Sequence, residues 1–155
     1  MNSRIAAAAT IVAACAALTS AAAHAAPPTK GEQVLKYRKS IYQVMAYNFG
    51  PLAAMSQGKM PYDAKEFSMR ADRVAMIAPL LTEAYPPETR DVGGSKLKPE
   101  MWNNRADFDA KLKALVDKTA ALSTAAKAGD FDESKAAFFE AGGACKSCHD
   151  KYRED

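Results

Sequence analysis

The sequence predicts an all-α protein, an antiparallel up-down four-helix bundle. Three observations carry that expectation. Apolar residues recur in steps of three and four over four long stretches, no stretch alternates with period two for long enough to make a strand, and turn residues fall between the stretches. Two short connections and one long one then join four helices as antiparallel neighbours.

The first helix follows Pro27-Pro28 and carries Val34, Tyr37, Ile41, Met45, Asn48/Phe49, Leu52 and Met55 on one face. Lys36, Arg38, Lys39 and Gln43 fall on its other faces. Gly50-Pro51 lies inside this pattern and is expected to kink or end the helix, because proline lacks the amide proton and crowds the preceding turn. The second helix runs from Asp63, a plausible cap, to about Leu81, with Phe67, Ala71, Val74, Ala78 and Leu81 inward and Pro86-Pro87 closing it. Residues 86–99 hold three prolines and Gly93-Gly94, and are expected to form one long loop over the end of the bundle. The third helix spans about Asn104 to Ala128, with Phe108, Leu112, Leu115, Thr119 and Leu122 at helical spacing, and Gly129-Asp130 makes a short turn. The fourth runs from about Phe131 to Tyr152, with Phe138, Gly142, Cys145, His149 and Tyr152 on one stripe.

The chain's start reads as an export signal: Arg4, an apolar stretch from Ile5 to Leu18, and Ala23-His24-Ala25 as a cleavage site. That stretch is shorter than the ~20 residues of a membrane-spanning helix. Removal of residues 1–25 from the 155-residue chain leaves a single domain over 26–155. A soluble, exported protein without a membrane span is expected. The first 25 residues carry one base and no acid, so 20 Lys and Arg remain against 18 Asp and Glu. Such near neutrality, without a basic block or an aromatic-basic platform, gives no support to nucleic acid as a partner.

Processing also removes Cys15 and His24. Of all the cysteines and histidines, only Cys145, Cys148 and His149 remain, within the run Cys145-Lys146-Ser147-Cys148-His149. Cys-x-x-Cys-His is the attachment signature of haem c, in which two thiols bond the vinyl groups and the adjacent imidazole ligates the iron. Three other uses of the pair compete. A structural zinc site needs four ligands and finds no second cluster. A thioredoxin-type disulfide normally opens a helix after a strand, and a plain disulfide leaves His149 idle. Haem has the strongest claim: one haem c per chain, with His149 on the iron. A bundle also gives the disc an apolar interior, and Ala141, Gly142, Gly143 and Ala144 remove bulk where the ring would approach the backbone, unless the glycines mark a frayed helix start.

The sixth iron position decides function. With His24 removed, a second histidine is not on offer, and the remaining candidates are Met45, Met55, Met60, Met69, Met76 and Met101, each more commonly core filler or surface. If none ligates, the iron has an open side that a small neutral gas can reach. No nucleophile and base pair stands out, so an enzyme is not expected.

The C-terminal run from Cys145 through Asp150, Tyr152 and Arg153, together with the stretch from Val34 to Met45, Pro61-Tyr62-Asp63-Ala64, Pro99-Glu100-Met101-Trp102 and Phe108, resembles the cytochrome c prime family, the class II c-type cytochromes. The resemblance covers essentially the whole processed chain. It implies a bundle with haem between the helices and a five-coordinate, high-spin iron held by His149 that transfers electrons and binds NO or CO. It also implies that Arg38 approaches a haem propionate with Lys39 beside it, and that Tyr42 stands over the distal face. Arg153 would then lie near the proximal pocket, where it shields or hydrogen-bonds a ligand, or simply caps the helix as a cation. Low-spin relatives take a methionine from the first helix as sixth ligand, which keeps Met45 as the alternative. A third reading is a gas-binding or NO-scavenging protein in which electron transfer is incidental. Small redox proteins as partners, and a homodimer built through the first helices, complete what the resemblance implies.

Overall fold

The computed structural model describes residues 26–154; the stretch 1–25 expected to be an export signal, with Cys15 and His24, lies outside the described residues. Five α-helical segments follow one another: α1 (Lys30–Ser56), α2 (Ala64–Ile77), the single turn α3 (Glu100–Asn103), α4 (Arg105–Ala128) and α5 (Phe131–Tyr152). A 3-10 stretch over Ala78–Glu83 prolongs α2, and another turn covers Pro87–Thr89.

Each long helix but one starts at a side-chain cap. Thr29 and Glu32 form a reciprocal capping box on α1, while Asp63 and Asp130 accept from backbone amides three residues on at α2 and α5. Gly129 ends α4 at φ +81°, the left-handed conformation that glycine adopts without a Cβ penalty. Pro51 does not end α1, which runs on to Ser56. The Tyr47 carbonyl, four residues earlier, loses its helical donor to the proline and instead accepts from Arg70 Nη1 of α2 at 3.4 Å. The helix continues past the proline, and the freed carbonyl becomes an anchor point between two helices.

Cross-helix links fix the direction of α4 against both α2 and α5. Ser123 Oγ of α4 donates to Asp72 of α2, which Lys127 also reaches at 2.9 Å, while Arg105 Nη1 donates to the Tyr85 carbonyl at 2.9 Å near the other end. Between α4 and α5, Lys111 meets Ser147 at 2.7 Å and Lys118 meets Glu140 at 2.8 Å, so the two run in opposite directions. Helices α1 and α5 touch where the Phe49 and Phe138 rings stack at 4.7 Å. The result is the up-down ring α1, α2, α4, α5, with α1 returning to α5. The core of fully buried side chains includes Phe67, Phe108, Leu52, Leu81, Met101 and Leu122. Each such side chain contributes about 1.5–3 kcal/mol on leaving water.

The long connection does lie over one end of the bundle, but it is more structured than a plain loop. Leu97 and Arg153 form an isolated antiparallel bridge, with Lys98 N donating to the Tyr152 carbonyl and Glu154 N to the Lys96 carbonyl, both at 2.8 Å. The strap is thereby tied to the end of α5. Near its start, Gly31 of α1 fits directly against the Glu88 carbonyl: a Cβ there would stand 2.2 Å from that oxygen.

The inward stripe of α1 differs from its expected register at the first two turns. Leu35 and Arg38 are buried, whereas Val34 is half-buried and Tyr37 exposed, its hydroxyl donating to Glu83 at 2.7 Å. From Ile41 to Met55 the expected stripe holds. The glycines of α5 do not fray it; the helix is continuous from Phe131 through Gly142 and Gly143 to Tyr152.

Candidate functional site

The last two turns of α5 carry Cys145, Cys148 and His149, all half-buried and directed to the seam with α1. Two adjoining cavities occupy that seam. One, of about 410 Å³, is lined by Arg38, Tyr42 and Tyr85 together with Cys148, His149 and the strap residues Gly94 to Leu97. The other, of about 240 Å³, lies deeper, between Met45, Phe49, Leu112 and Leu115 and the face of α5 that bears Gly142 and Cys145. Tyr42, Ala46, Cys148 and His149 line both. Gly142 lines the deeper cavity, where a Cβ would stand 4.0 Å from the Phe49 ring, an ordinary van der Waals contact.

Both thiols are free, and burial pushes each above its ordinary pKa, so they stand as neutral groups against apolar walls. Burial first, and then the Arg153 charge, push His149 below its ordinary value. The neutral imidazole, the form that donates a lone pair to a metal, is thereby favoured. Arg153 is exposed, with Nη1 3.4 Å from His149 Nδ1. Among the described residues no three of His, Cys, Asp and Glu converge as a metal-binding cluster.

Across the seam, Arg38 is only 4% exposed, and its Nε, Nη1 and Nη2 find no hydrogen-bond partner. Periodicity alone assigns it to an outer face of α1; its guanidinium instead lies over the Tyr85 ring at 4.2 Å. A buried guanidinium carries a desolvation cost of several kcal/mol and calls for an anionic partner. Lys39, beside it, is exposed at the cavity mouth, its Nζ 3.5 Å from where a Cβ on Gly94 would stand.

Tyr42 is half-buried, and its hydroxyl shares a 2.7 Å hydrogen bond with that of Tyr85. Burial raises both phenols above their ordinary range; the shared bond works further in that direction on Tyr42 and against it on Tyr85. Tyr85 was not singled out from the sequence, although one further step of four along the stripe Val74, Ala78, Leu81 leads to it. The strap residues were also missed, since a loop offers no periodicity to read. Met45 is buried at 7% exposure and lines the deeper cavity with His149.

These residues fit a haem. Two thiols and an imidazole stand at one wall, apolar residues surround the space, and the buried, unpartnered Arg38 guanidinium is of the chemistry that pairs with a carboxylate. Comparison with known proteins agrees. The family model described as cytochrome C' matches residues 33–153. Cytochrome c' of Rubrivivax gelatinosus is 42% identical over 128 residues, 81% of this chain and 97% of its own length. The structure of cytochrome c prime from Shewanella frigidimarina superposes with a TM-score of 0.78 at 39% identity, covering 83% of this chain and all of that one. A mutant cytochrome c prime from Alcaligenes xylosoxidans, solved as its nitric oxide complex, gives a TM-score of 0.74 at 36% identity, with 83% of this chain and all of that chain covered. With a bundle open along one seam, a thiol pair and imidazole facing that opening, and a match running from the first helix to the last, the chain belongs to the cytochrome c prime family of haem proteins.

Proposed function

We propose that the chain is a periplasmic electron-transfer protein that carries one haem c in the α1/α5 seam, held through Cys145 and Cys148 and ligated by His149 alone. Haem c supplies an iron that cycles between ferric and ferrous states and takes up a small neutral gas when one axial side is free. The chain's own residues hold, shield and orient. Arg38 pairs with a propionate, and Lys39 adds positive charge at the mouth. Tyr42 narrows the opposite side, where its ring opposes water and large ligands while a diatomic still fits. Arg153 keeps a cation beside the proximal imidazole.

The buried, unpartnered Arg38 guanidinium facing the thiol and imidazole wall is the observation that carries this reading. Nitric oxide and carbon monoxide are the gases of the right size and charge, and the nitric oxide complex of the Alcaligenes xylosoxidans relative supports the first of them. Scavenging of nitric oxide, with electron transfer incidental, uses the same open side. Exchange with small redox proteins and non-catalytic behaviour accord with the family. A homodimer through α1 accords with Val44 and Tyr47, which stand exposed along its outer face.

A second reading has one observation in its favour: Met45 lines the deeper cavity together with His149, as a methionine sixth ligand requires. Spectra separate the two. The five-coordinate reading expects a ferric high-spin spectrum and a large change when the ferrous protein meets carbon monoxide. A ferric low-spin spectrum with a methionine-to-iron band, unaffected by carbon monoxide after reduction, would overturn it in favour of Met45.

A further inference from the structure

The Tyr42 and Tyr85 hydroxyls are 2.7 Å apart, inside a wall that offers them no other described protein partner. Two phenols carry two protons, and their shared bond uses one. The second proton belongs to whichever phenol accepts, and it is left free to serve a ligand in the cavity.

The surroundings decide which phenol accepts. The Arg38 guanidinium lies over the Tyr85 ring at 4.2 Å and draws on its electron density, making Tyr85 the better donor of the pair. Tyr85 itself is fixed: it is 4% exposed, the Phe108 ring meets it edge-on at 4.7 Å, and its carbonyl is held by Arg105. Tyr85 borders only the larger cavity, whereas Tyr42 borders both and is thus the phenol common to all the space beside His149.

We propose that Tyr85 is a positioning residue: by donating to the Tyr42 oxygen it turns the Tyr42 O–H outward, so that the cavity wall presents one oriented phenolic donor to a bound diatomic gas. This rests on the open-sided haem reading above and adds to it the residue that sets the polarity of the open side. The ligand class it favours is a diatomic that gains electron density on its outer atom when bound. Carbon monoxide on the ferrous protein is the probe for that property.

The test is the infrared C–O stretch of the ferrous carbon monoxide form in the wild-type protein, Tyr85→Phe, Tyr42→Phe and the double variant. Tyr85→Phe keeps the ring, its contact with Phe108 and its place under Arg38, so folding is preserved. Loss of an oriented donor raises the stretch or splits it into several bands, and carbon monoxide leaves about 2- to 10-fold faster. Because Tyr85 acts through Tyr42, adding Tyr85→Phe to Tyr42→Phe is expected to change nothing further. A stretch unmoved by Tyr85→Phe, or a Tyr85 effect that persists without the Tyr42 hydroxyl, overturns the assignment while leaving the open site standing. A ferrous protein that takes up no carbon monoxide overturns both, and the two failures are thereby told apart.

Discussion

The seam between α2 and α4 and the seam between α1 and α5 belong to one bundle but are built to opposite ends. The first is closed. Ala71, Ala78, Leu122 and Ala126 are each no more than 1% exposed, and polar links through Asp72, Ser123 and Lys127 bind the rim. The second meets at the Phe49 and Phe138 rings and then parts around two apolar cavities, with a buried guanidinium left unpartnered at the mouth. A chain selected for packing alone would fill such a space, since interiors are close-packed and each void forfeits contacts. Both halves bury side chains, Leu52, Met55, Ala141 and Tyr152 among them, but only the α1/α5 side leaves space beside them.

Substitutions can break this comparison in order of expected size. Leu122→Ala in the closed seam removes a side chain with no exposure and leaves a cavity, at a cost of about 2–5 kcal/mol in unfolding free energy. Its visible spectrum is expected to stay that of the wild-type protein. An altered spectrum would show that the two seams are not separable. Arg38→Met in the open seam is expected to act the other way round. In the haem-loaded protein it strands a carboxylate and costs up to about 3 kcal/mol, whereas in the haem-free chain it removes an unpaired buried cation and raises stability. Equal effects in both forms, measured by denaturant unfolding, would deny Arg38 an anionic partner.

The smallest effect concerns the rim. Hydrogen bonds from Ser123 and Lys127 hold the Asp72 carboxyl below its ordinary pKa. A depressed folded-state value stabilises above the unfolded value and is lost as pH falls through the folded one. Asp72 is partly exposed and screened, so Asp72→Asn is expected to cost less than about 1 kcal/mol at neutral pH. The difference between wild type and variant should close below about pH 4. A gap that widens on acidification would contradict the sign.

What the sequence disclosed follows the same division. The closed half was legible almost throughout, because Phe67, Ala71, Ala78 and Leu122 fall at helical spacing and nothing competes with burial for their placement. In the open half, the thiol pair and His149 could be recognised from spacing in five residues. Arg38 could not be placed inside by periodicity, since a charged residue reads as outward until a buried anion is supplied. Only resemblance to relatives pointed it toward a propionate. Of the two outcomes expected at Pro51, a kink or an end, the end is absent for a related reason: the proline's cost is local, but its remedy, Arg70, comes from another helix. Tyr85 and the strap at Gly94 to Leu97 were hidden because their role depends on tertiary neighbours, the Tyr42 hydroxyl and the end of α5.

The central claim is that the α1/α5 seam is shaped around one covalently held haem. The most direct measurement is the intact mass of the denatured, purified protein, paired with its Cys145→Ser, Cys148→Ser variant. The wild-type chain is expected to carry the mass of one haem that survives denaturation, and the double variant to carry none while still folding as a helical bundle. A wild-type chain of bare polypeptide mass, or haem retained after denaturation without the two thiols, would contradict it.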